Sequence, residues 1–337
     1  MSLDPKVAHE MRMKACRPSL RKGPDEPLIP WQAKTRAELE HMLGLPIAGG
    51  EDHFRVEWTR EEAAFTETRF LFASEPDCDA VCHLLMPKTA SEGRIPLVIC
   101  LQGHSTGMHI SLGRPKYEHD QETISGGDRD FACQIIARGQ AALTLEQRAF
   151  GERGGTPKGP DCLFPAMQAL LIGRTLLGER CHDVSRAIDV VTAHFPAIDP
   201  ARIAVMGNSG GGTTSLYAAA LDTRIAACMP SCAFSGFVES IGLQHHCACN
   251  YVPGILNKLD MGDIAGLIAP RPLVIVNGLH DGIFPIDAAR AQADITRSLY
   301  EQAGAAGAFR HVVGQEGHRF YADLGWAAFD QVTGWKD

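Results

Sequence analysis

Three residues far apart in the chain have side chains that together could perform acyl transfer. Ser209 stands at the centre of a G-x-S-x-G pattern, Asp281 lies in a glycine-flanked loop, and His318 lies in a later glycine-containing loop. A serine hydroxyl is a weak nucleophile and needs an adjacent base, and the base needs a carboxylate that fixes its tautomer and orientation. The chain order serine, acid, histidine therefore predicts a triad that forms an acyl-enzyme.

The segment around Ser209 is typical of a nucleophile elbow, the strained turn that presents a serine between a strand and a helix. The apolar run Ile203 to Met206 precedes it and the small-residue run Thr213 to Leu221 follows it. Gly207 and Gly211 would let the strand and the helix approach closely. A glycine-rich turn can also cradle phosphate, but no Lys-Ser/Thr pair follows these glycines, and the G-x-G-x-x-G spacing is not matched from Gly207.

The predicted acid and base both follow strand-like runs. Asp281 comes after the buried run Leu273–Val276, and His318 comes after Phe309–Val313. Loops after later strands are where a triad of this order carries its acid and its base. The nearest alternatives for the acid and the base are Glu316 and His280. Both are neighbours on the same loops, and their side chains should point away from the required geometry.

An oxyanion hole needs two backbone N–H groups near the nucleophile. The residue after the serine, Gly210, is expected to supply one, and the loop after the strand ending at Cys100 to supply the other. In that loop His104, directly after Gly103, is the expected donor through its backbone. Its side chain could at the same time line a polar cleft.

Strand-like and helix-like segments alternate through most of the chain and must position these residues. The apolar or strand-like runs are 68–73, 80–86, 95–101, 141–145, 203–206, 225–229, 273–277 and 309–313. The stretches of helix length are 128–138, 164–194, 213–221, 286–300 and 321–335. The first two runs predict an antiparallel hairpin, and the rest predict βαβ units, so we expect an α/β fold with a mostly parallel eight-stranded sheet and helices on both faces.

The chain divides into an extension and a main domain. Residues 1–60 are charged and rich in proline, with a helix predicted at 34–43 and no strand pattern, so we expect them to pack on the core through Trp31 and Trp58. Residues 61–337 form the predicted catalytic domain. Two long insertions interrupt it, the polar loop 108–127 and the segment 231–259, which we call the lid segment; loops of this length are usually functional.

Residues near the carboxyl ends of strands are candidates for the substrate pocket, because open α/β sheets bind ligands there. They are Gln102, Arg148, Asn208 and, from the lid segment, His245, His246 and Tyr251. Arg148 could equally join Glu152 and Arg153 in a buried or rim ion-pair network. The helical spacing of Asp183, Arg186 and Asp189 predicts a solvated helix face.

The lid segment also contains imidazole and thiolate groups, the ligands that zinc prefers. They lie in the run His245-His246-Cys247-Ala248-Cys249-Asn250. Neighbouring residues do not easily converge on one tetrahedral ion, and no second pair has ligand spacing. The sequence therefore favours a pocket role over a metal site, and we expect no metal and no cofactor.

Composition limits the partners of the chain. With 337 residues, a net charge of −8, a pI near 6.0 and no basic block, the chain is not expected to bind nucleic acid or a membrane, and a small-molecule ester fits better. Eleven scattered cysteines without a C-x-x-C pair suit a reducing compartment. Since the first thirteen residues lack an apolar h-region, we expect a cytoplasmic protein, with homo-oligomerisation left open.

Together these features resemble the α/β-hydrolase superfamily. Within it, the segments Leu145–Arg153, Cys181–Asp189 and Gly207–Gly212 are similar to bacterial dienelactone-hydrolase-like and acetyl-xylan-esterase-like proteins. The resemblance covers roughly residues 60–337 and implies a serine esterase acting on a small carboxylic ester, such as an acetylated carbohydrate. Dienelactone hydrolase itself uses a cysteine nucleophile, whereas this chain has Ser209.

Two alternatives remain open from the sequence. A peptidase or amidase could use the same triad and elbow, although no propeller-sized domain precedes the core. A catalytically silent binding protein could retain the fold, although the three triad residues and both predicted oxyanion donors are present in the sequence.

Overall fold

A nine-stranded sheet runs through the molecule, which a computed structural model describes at residues 3–50, 53–88 and 93–335. The strands are β1 (Arg55–Glu61), β2 (Phe65–Glu75), β3 (Cys78–Pro87), β4 (Ile95–Leu101), β5 (Ala141–Leu145), β6 (Ile198–Asn208), β7 (Ala227–Ser231), β8 (Leu273–Gly278) and β9 (Phe309–Gly314). Their spatial order is β1-β2-β3-β5-β4-β6-β7-β8-β9. The first three strands form an antiparallel meander, β3 joins β5 antiparallel, and all pairs from β5 to β9 are parallel, so the predicted α/β sheet is confirmed.

Ten α-helices lie in the described residues, and several of them connect the parallel strands. They are α1 (Pro5–Ala15), α2 (Leu28–Leu43), α3 (Asp120–Gly126), α4 (Phe131–Ala137), α5 (Leu163–Leu171), α6 (Leu176–His194), α7 (Gly210–Leu221), α8 (Met261–Gly266), α9 (Ile286–Gln302) and α10 (Ala322–Thr333). The single helix predicted at 164–194 is two helices, because Gly173 adopts a left-handed backbone conformation between α5 and α6. The helix predicted at 128–138 is the shorter α4, preceded by α3 in the loop 108–127.

The sheet has one strand more than the eight predicted, and that strand is β1, which lies almost entirely in the predicted extension. Its residues are polar or exposed along nearly the whole strand, and it pairs only with β2 at the sheet edge. A strand that buries neither face lacks the alternation of apolar and polar residues that marks a half-buried strand. The sequence pattern therefore could not show it.

The rest of the extension packs on the core through its helices. Helix α2 begins six residues earlier than predicted and contacts α6 and α7. Pro30 lies in its first turn, where the missing N–H of proline costs no hydrogen bond. Trp31 is fully buried, and its indole N–H donates to the carbonyl of Leu20 at 2.7 Å, as expected of an anchor.

The parallel strands bury apolar side chains on both faces, since helices cover each face. Strands β4, β5, β7 and β8 are buried along their whole length. Such continuous apolar runs are typical of parallel strands in α/β proteins. All parallel strands end at the same edge of the sheet, so residues after β4, β6, β8 and β9 are brought together there.

Within the described residues, no helix is both long enough and apolar enough to cross a membrane.

Candidate active site

Ser209 occupies a strained turn between β6 and α7. Its backbone has φ 55° and ψ −125°, a conformation that non-glycine residues rarely adopt. The side chain is only 8 % exposed, and the first turn of α7 begins directly behind it. Strain of this kind persists only where the surroundings impose it, and it is the geometry of a nucleophile elbow.

The two glycines of the pattern make this turn possible. A Cβ at Gly207 would come within 2.5 Å of the Gly211 backbone, and one at Gly211 would come within 2.0 Å of the Leu101 carbonyl oxygen. Strand β4, strand β6 and helix α7 therefore approach one another more closely than any side chain allows. The predicted reason for glycine at both positions is confirmed.

Asp281 and His318 meet at the carboxyl edge of the sheet. The Nδ1 atom of His318 lies 2.7 Å from Oδ2 of Asp281. The other oxygen of Asp281 accepts the backbone N–H groups of Ile283 and Phe284. Burial raises the pKa of Asp281, but these hydrogen bonds and the charge of His318 outweigh it and hold the pKa below its usual value. The carboxylate is thus ionised and fixed toward the imidazole.

The two competing residues point elsewhere. Glu316 pairs with Arg319 at 3.0 Å and is largely exposed. His280 is exposed, and its backbone N–H donates to the Glu316 carbonyl. Neither side chain contacts His318 through a hydrogen bond within the described residues.

A cleft of about 340 Å³ opens above these groups. Its lining includes His104, Glu122, Thr123, Arg129, His318 and Arg319. Ser209 is not part of this lining, but it lies next to the loop that carries His104, since a Cβ on Gly103 would come within 2.9 Å of the Ser209 Cβ. No described residue, His318 included, lies within hydrogen-bond distance of the Ser209 hydroxyl oxygen. Catalytic hydrogen bonds are often longer before substrate binds.

The two residues predicted to supply the oxyanion donors are in contact. Gly210 is the first residue of α7, so its N–H has no partner inside the helix. A Cβ on Gly210 would come within 2.8 Å of the His104 ring. The loop carrying His104 and the start of α7 are therefore in contact, and the His104 ring also lines the cleft, as the sequence allowed.

Residues 122–129 contribute to the cleft and were not predicted individually. They form the end of the polar loop 108–127 and the two residues after it; the length of that loop alone indicated a functional role. Arg129 differs from its neighbour Arg319, which pairs with Asp128 and Glu316. In the part of the chain that the structure describes, Arg129 makes no ion pair, and its Nε is buried without a hydrogen-bond partner.

Three of the pocket candidates lie behind the site rather than in the cleft. Gln102 is buried and donates to Ser111 and to the Arg129 carbonyl, which ties the loop 108–127 to β4. Asn208 is fully buried, and its side-chain oxygen accepts the hydroxyl of Ser231 at 2.9 Å. Arg148 is buried in ion pairs. All three are held by protein partners near the carboxyl ends of strands.

The candidates from the lid segment also lie outside this cleft. His245 and Tyr251 border a separate groove of about 870 Å³ between the lid segment and α1. His246 is buried and shares its Nε2 with the Ser240 hydroxyl and the Ile283 carbonyl. Its ring meets Phe284 edge-on, and Phe284 stacks on His318 at 6.0 Å, so the Phe284 ring contacts both imidazoles.

The prediction that Asp183 lies on a solvated helix face is wrong. It is buried in α6 and pairs with Arg148 at 2.8 Å and Arg153 at 2.5 Å. Arg148 and Arg153 thus belong to an ion-pair network, as the alternative from the sequence allowed, whereas Glu152 pairs with Arg69 instead. Helical spacing alone could not separate Asp183 from the half-exposed Arg186 and Asp189, because its partners come from the loop after β5.

A second group of reactive side chains lies beside the oxyanion loop. His104, Cys162, Cys247 and Cys249, which we call the cysteine–histidine cluster, have ligand atoms that all lie within 4.8 Å of one another. The Nε2 of His104 is 3.4 Å from Cys249 Sγ. Burial lowers the pKa of His104, but its contacts with Cys247 and Cys249 raise it to about 9. The local sequence around Cys247 and Cys249 cannot indicate this cluster, because His104 and Cys162 come from distant parts of the chain.

Comparison with known sequences places these features in a family. A profile of the family described as acetyl xylan esterase (AXE1) matches residues 174–245, which include the elbow and all of α6. The Bacillus subtilis (strain 168) protein named "Putative hydrolase YtaP" is 30% identical over 300 residues, covering 85% of this chain and 94% of its own length. The quorum-quenching protein AidA of Acinetobacter baumannii is 31% identical over 137 residues, 40% of each chain.

Solved structures share the fold at lower sequence identity. A Bacteroides fragilis protein described as a "putative acetyl xylan esterase" superimposes with a TM-score of 0.78 at 16% identity, covering 98% of this chain and 90% of its own. The glucuronoyl esterase from Solibacter usitatus gives a TM-score of 0.67 at 16% identity, covering 95% of this chain and 97% of its own. The chain therefore belongs to the same family as YtaP, is acetyl-xylan-esterase-like over residues 174–245, and has the α/β-hydrolase fold of these esterases.

Proposed function

We propose that Ser209, Asp281 and His318 form the catalytic triad of this esterase and that its substrate is a small acetyl ester of a carbohydrate. The main support for the triad is the 2.7 Å contact between His318 and the buried, ionised Asp281. This contact lies at the same edge of the sheet as Ser209 with its strained backbone. A histidine oriented by a carboxylate beside a serine elbow is the arrangement that activates a serine hydroxyl.

In the first half of the reaction, the Ser209 oxygen attacks the ester carbonyl carbon while His318 takes the hydroxyl proton. The negative charge moves to the carbonyl oxygen, where the N–H groups of Gly210 and His104 stabilise it. When the intermediate collapses, the bond to the alcohol oxygen breaks and His318 gives its proton to the departing alcohol. Ser209 then carries the acyl group as an ester.

In the second half, water replaces the alcohol. His318 takes a proton from the water as its oxygen attacks the acyl carbon, and the same donors hold the oxyanion. Collapse breaks the bond to Ser209, which regains the proton from His318. The products are the free alcohol and the carboxylic acid, and Asp281 stays ionised throughout because it orients the imidazole and stabilises its charged form.

Three features support a small, oxygen-rich substrate. The cleft of about 340 Å³ lies at the lower end of the range for small-molecule pockets. Its lining is mainly polar, and Arg129 presents a guanidinium with no carboxylate partner in the described residues. We infer that Arg129 binds hydroxyl or carboxylate oxygens of the sugar part. Similar proteins that bear acetyl xylan esterase and glucuronoyl esterase names suggest the same substrate class.

A fluorophosphonate probe tests the nucleophile. We expect the wild-type chain to be labelled once, and Ser209→Ala to lose the label while keeping its fold by circular dichroism. Cys232→Ser is a matched control, since Cys232 lies close to Asp281 and His318 but has no part in the mechanism. Equal labelling of Ser209→Ala would place the nucleophile elsewhere.

A substrate panel tests the reaction. It contains p-nitrophenyl esters of increasing acyl length, acetylated xylose and xylo-oligosaccharides, and a peptide amide. We expect acetyl esters to give the highest kcat/KM and the amide to give no measurable turnover. Turnover of the amide at a rate near that of the esters would favour the peptidase alternative, and probe labelling without turnover of any ester would favour a different substrate class.

The exposed face of α5 supports self-association. Leu163, Phe164 and Leu171 are each more than 60 % exposed, and Met167 and Leu170 are partly exposed beside them. Contiguous apolar surface of this kind usually marks a contact with another protein. We propose that a second copy of the chain covers it in a cytoplasmic homo-oligomer. Light scattering should give a multiple of the chain mass that falls to the single mass in Phe164→Glu, and a monomeric wild type would contradict the proposal.

A further inference from the structure

The cysteine–histidine cluster joins three separate parts of the chain beside the oxyanion loop. Cys162 directly precedes α5, Cys247 and Cys249 belong to the lid segment, and His104 follows β4. Two of the sulfur atoms therefore come from a C-x-C pair, and the other two ligand atoms come from His104 and Cys162, which are 58 positions apart in the sequence. The lid segment by itself has only one pair of ligands, and the fold brings His104 and Cys162 to it as the second pair.

We propose that His104, Cys162, Cys247 and Cys249 bind one zinc ion, which fastens the lid segment and the start of α5 to the oxyanion loop. Three thiolates and one imidazole are a common structural zinc set. Around a tetrahedral ion with Zn–S bonds of about 2.3 Å, sulfur atoms lie about 3.8 Å apart. The ligand atoms of the cluster all lie within 4.8 Å of one another, so small rotamer changes bring them to that distance.

The charge of the surroundings fits such an ion. Zinc with three thiolates and a neutral imidazole has a net charge of −1. The guanidinium of the fully buried Arg180 lies 3.2 Å from Cys162 Sγ, and it also donates to the Arg148 carbonyl, which holds it in place. The site and Arg180 are together neutral, which removes the cost of burying an unpaired charge.

The neighbours of the cluster are apolar and exclude water. Cys162 and Cys249 are each 3 % exposed, and Phe150, Ala166 and Leu176 pack around them. Apolar walls around a metal site restrict access of solvent and competing ligands. Four protein ligands leave no open position, so the ion has a structural role and does not itself take part in the reaction.

The consequence for catalysis rests on the proposed function. The His104 ring would be a zinc ligand through Nε2, while the backbone N–H of the same residue is the donor proposed for the oxyanion hole. Since a Cβ on Gly210 would touch this ring, the ring position also sets the spacing between the two oxyanion donors. The ion would therefore make His104 a positioning residue through its side chain.

Metal analysis of the wild-type chain is the primary test. The protein is purified under reducing conditions without chelator or affinity-tag histidines, and its metals are measured by mass spectrometry. We expect one zinc per chain. After exchange for Co²⁺, we expect thiolate-to-cobalt charge-transfer bands and the intense visible bands of tetrahedral cobalt. Less than a tenth of an equivalent of metal after incubation with Zn²⁺, or a disulfide between two of these cysteines with no metal, would overturn the site.

Matched variants assign the ligands and separate the two proposals. Cys247→Ser and Cys249→Ser should lose zinc, whereas Cys133→Ser, at an exposed cysteine outside the cluster, should keep it. We expect Cys247→Ser to lower kcat at least tenfold with little change in KM, and fluorophosphonate to label Ser209 more slowly. Zinc bound by an inactive wild type would contradict the proposed function alone, and zinc loss with unchanged kcat would overturn the positioning role of His104.

Discussion

The Nδ1 atom of His318 lies 2.7 Å from Oδ2 of Asp281, although 37 residues separate the two in the chain. Strands β8 and β9 are paired in parallel from Leu273 to Gly278, so the loops that follow them leave the sheet side by side. The hydrogen bond is therefore a consequence of the strand order. It fixes which imidazole nitrogen carries the proton and leaves Nε2 facing the cleft.

We expect Asp281→Asn to lower kcat by about 10⁴-fold, because an amide in this position favours the wrong imidazole tautomer. The expected fold is unchanged, since the amide oxygen can still accept the N–H groups of Ile283 and Phe284. Steady-state hydrolysis of p-nitrophenyl acetate gives kcat. Glu316→Gln is the control and should retain near-wild-type activity. If the two variants lose the same activity, the acid is not Asp281.

The close packing at the nucleophile elbow can be tested through protein stability, without measuring activity. A Cβ at Gly211 would lie 2.0 Å from the Leu101 carbonyl oxygen, within a fully packed contact of β4 and α7. Gly211→Ala should therefore lower the free energy of unfolding by about 3 kcal/mol, at the upper end of overpacking effects. Gly282→Ala, where nothing lies within 4 Å, is the control and should change stability by less than about 0.5 kcal/mol. Urea denaturation measures both, and equal midpoints would contradict the close contact.

The sequence predicted those parts of the site that follow from local patterns. The small residues around Ser209 and the apolar strands β4 to β8 have clear signatures, because each must fit a buried and crowded position. Strand β1 had none, since an exposed edge strand needs no apolar alternation. The burial of Asp183 and the cysteine–histidine cluster depend on residues brought in from distant loops. No periodicity in one segment can indicate partners of that kind.

Asp183 predicts how stability depends on pH. Burial raises its pKa, but the charges of Arg153 and Arg148 outweigh this and hold the pKa far below the usual value near 3.9. A depressed pKa contributes stability that is present above the unfolded value and is lost as pH falls toward the folded value. Thermal unfolding should therefore show a steeper loss of stability below about pH 4 in the wild type than in Asp183→Asn.

At neutral pH the same variant should be destabilised by about 3 to 5 kcal/mol, because it leaves buried arginines without a full set of partners. Asp189→Asn lies on the same helix but pairs at the half-exposed surface with Arg186 and Arg224. Its expected cost is below about 1 kcal/mol. Chemical denaturation at pH 7 measures the two, and a larger effect of Asp189→Asn would mean that burial does not decide the strength of these pairs.

Arg129 and Arg319 line the same cleft, and their different partners predict different effects on substrate binding. Arg319 is neutralised by Asp128 at 2.8 Å and Glu316 at 3.0 Å, whereas Arg129 makes no ion pair with any residue that the structure describes. A hydrogen bond to a charged group contributes about 1.5 to 3 kcal/mol when it is made only with substrate. Arg129→Gln should therefore lower kcat/KM for acetylated sugars by about tenfold to a hundredfold, mainly through KM. Turnover of p-nitrophenyl acetate, which has no sugar oxygens, should change little, and Arg319→Gln should leave both substrates nearly unaffected. An equal loss on both substrates in Arg129→Gln would show that this arginine supports the loop 108–127 rather than the sugar.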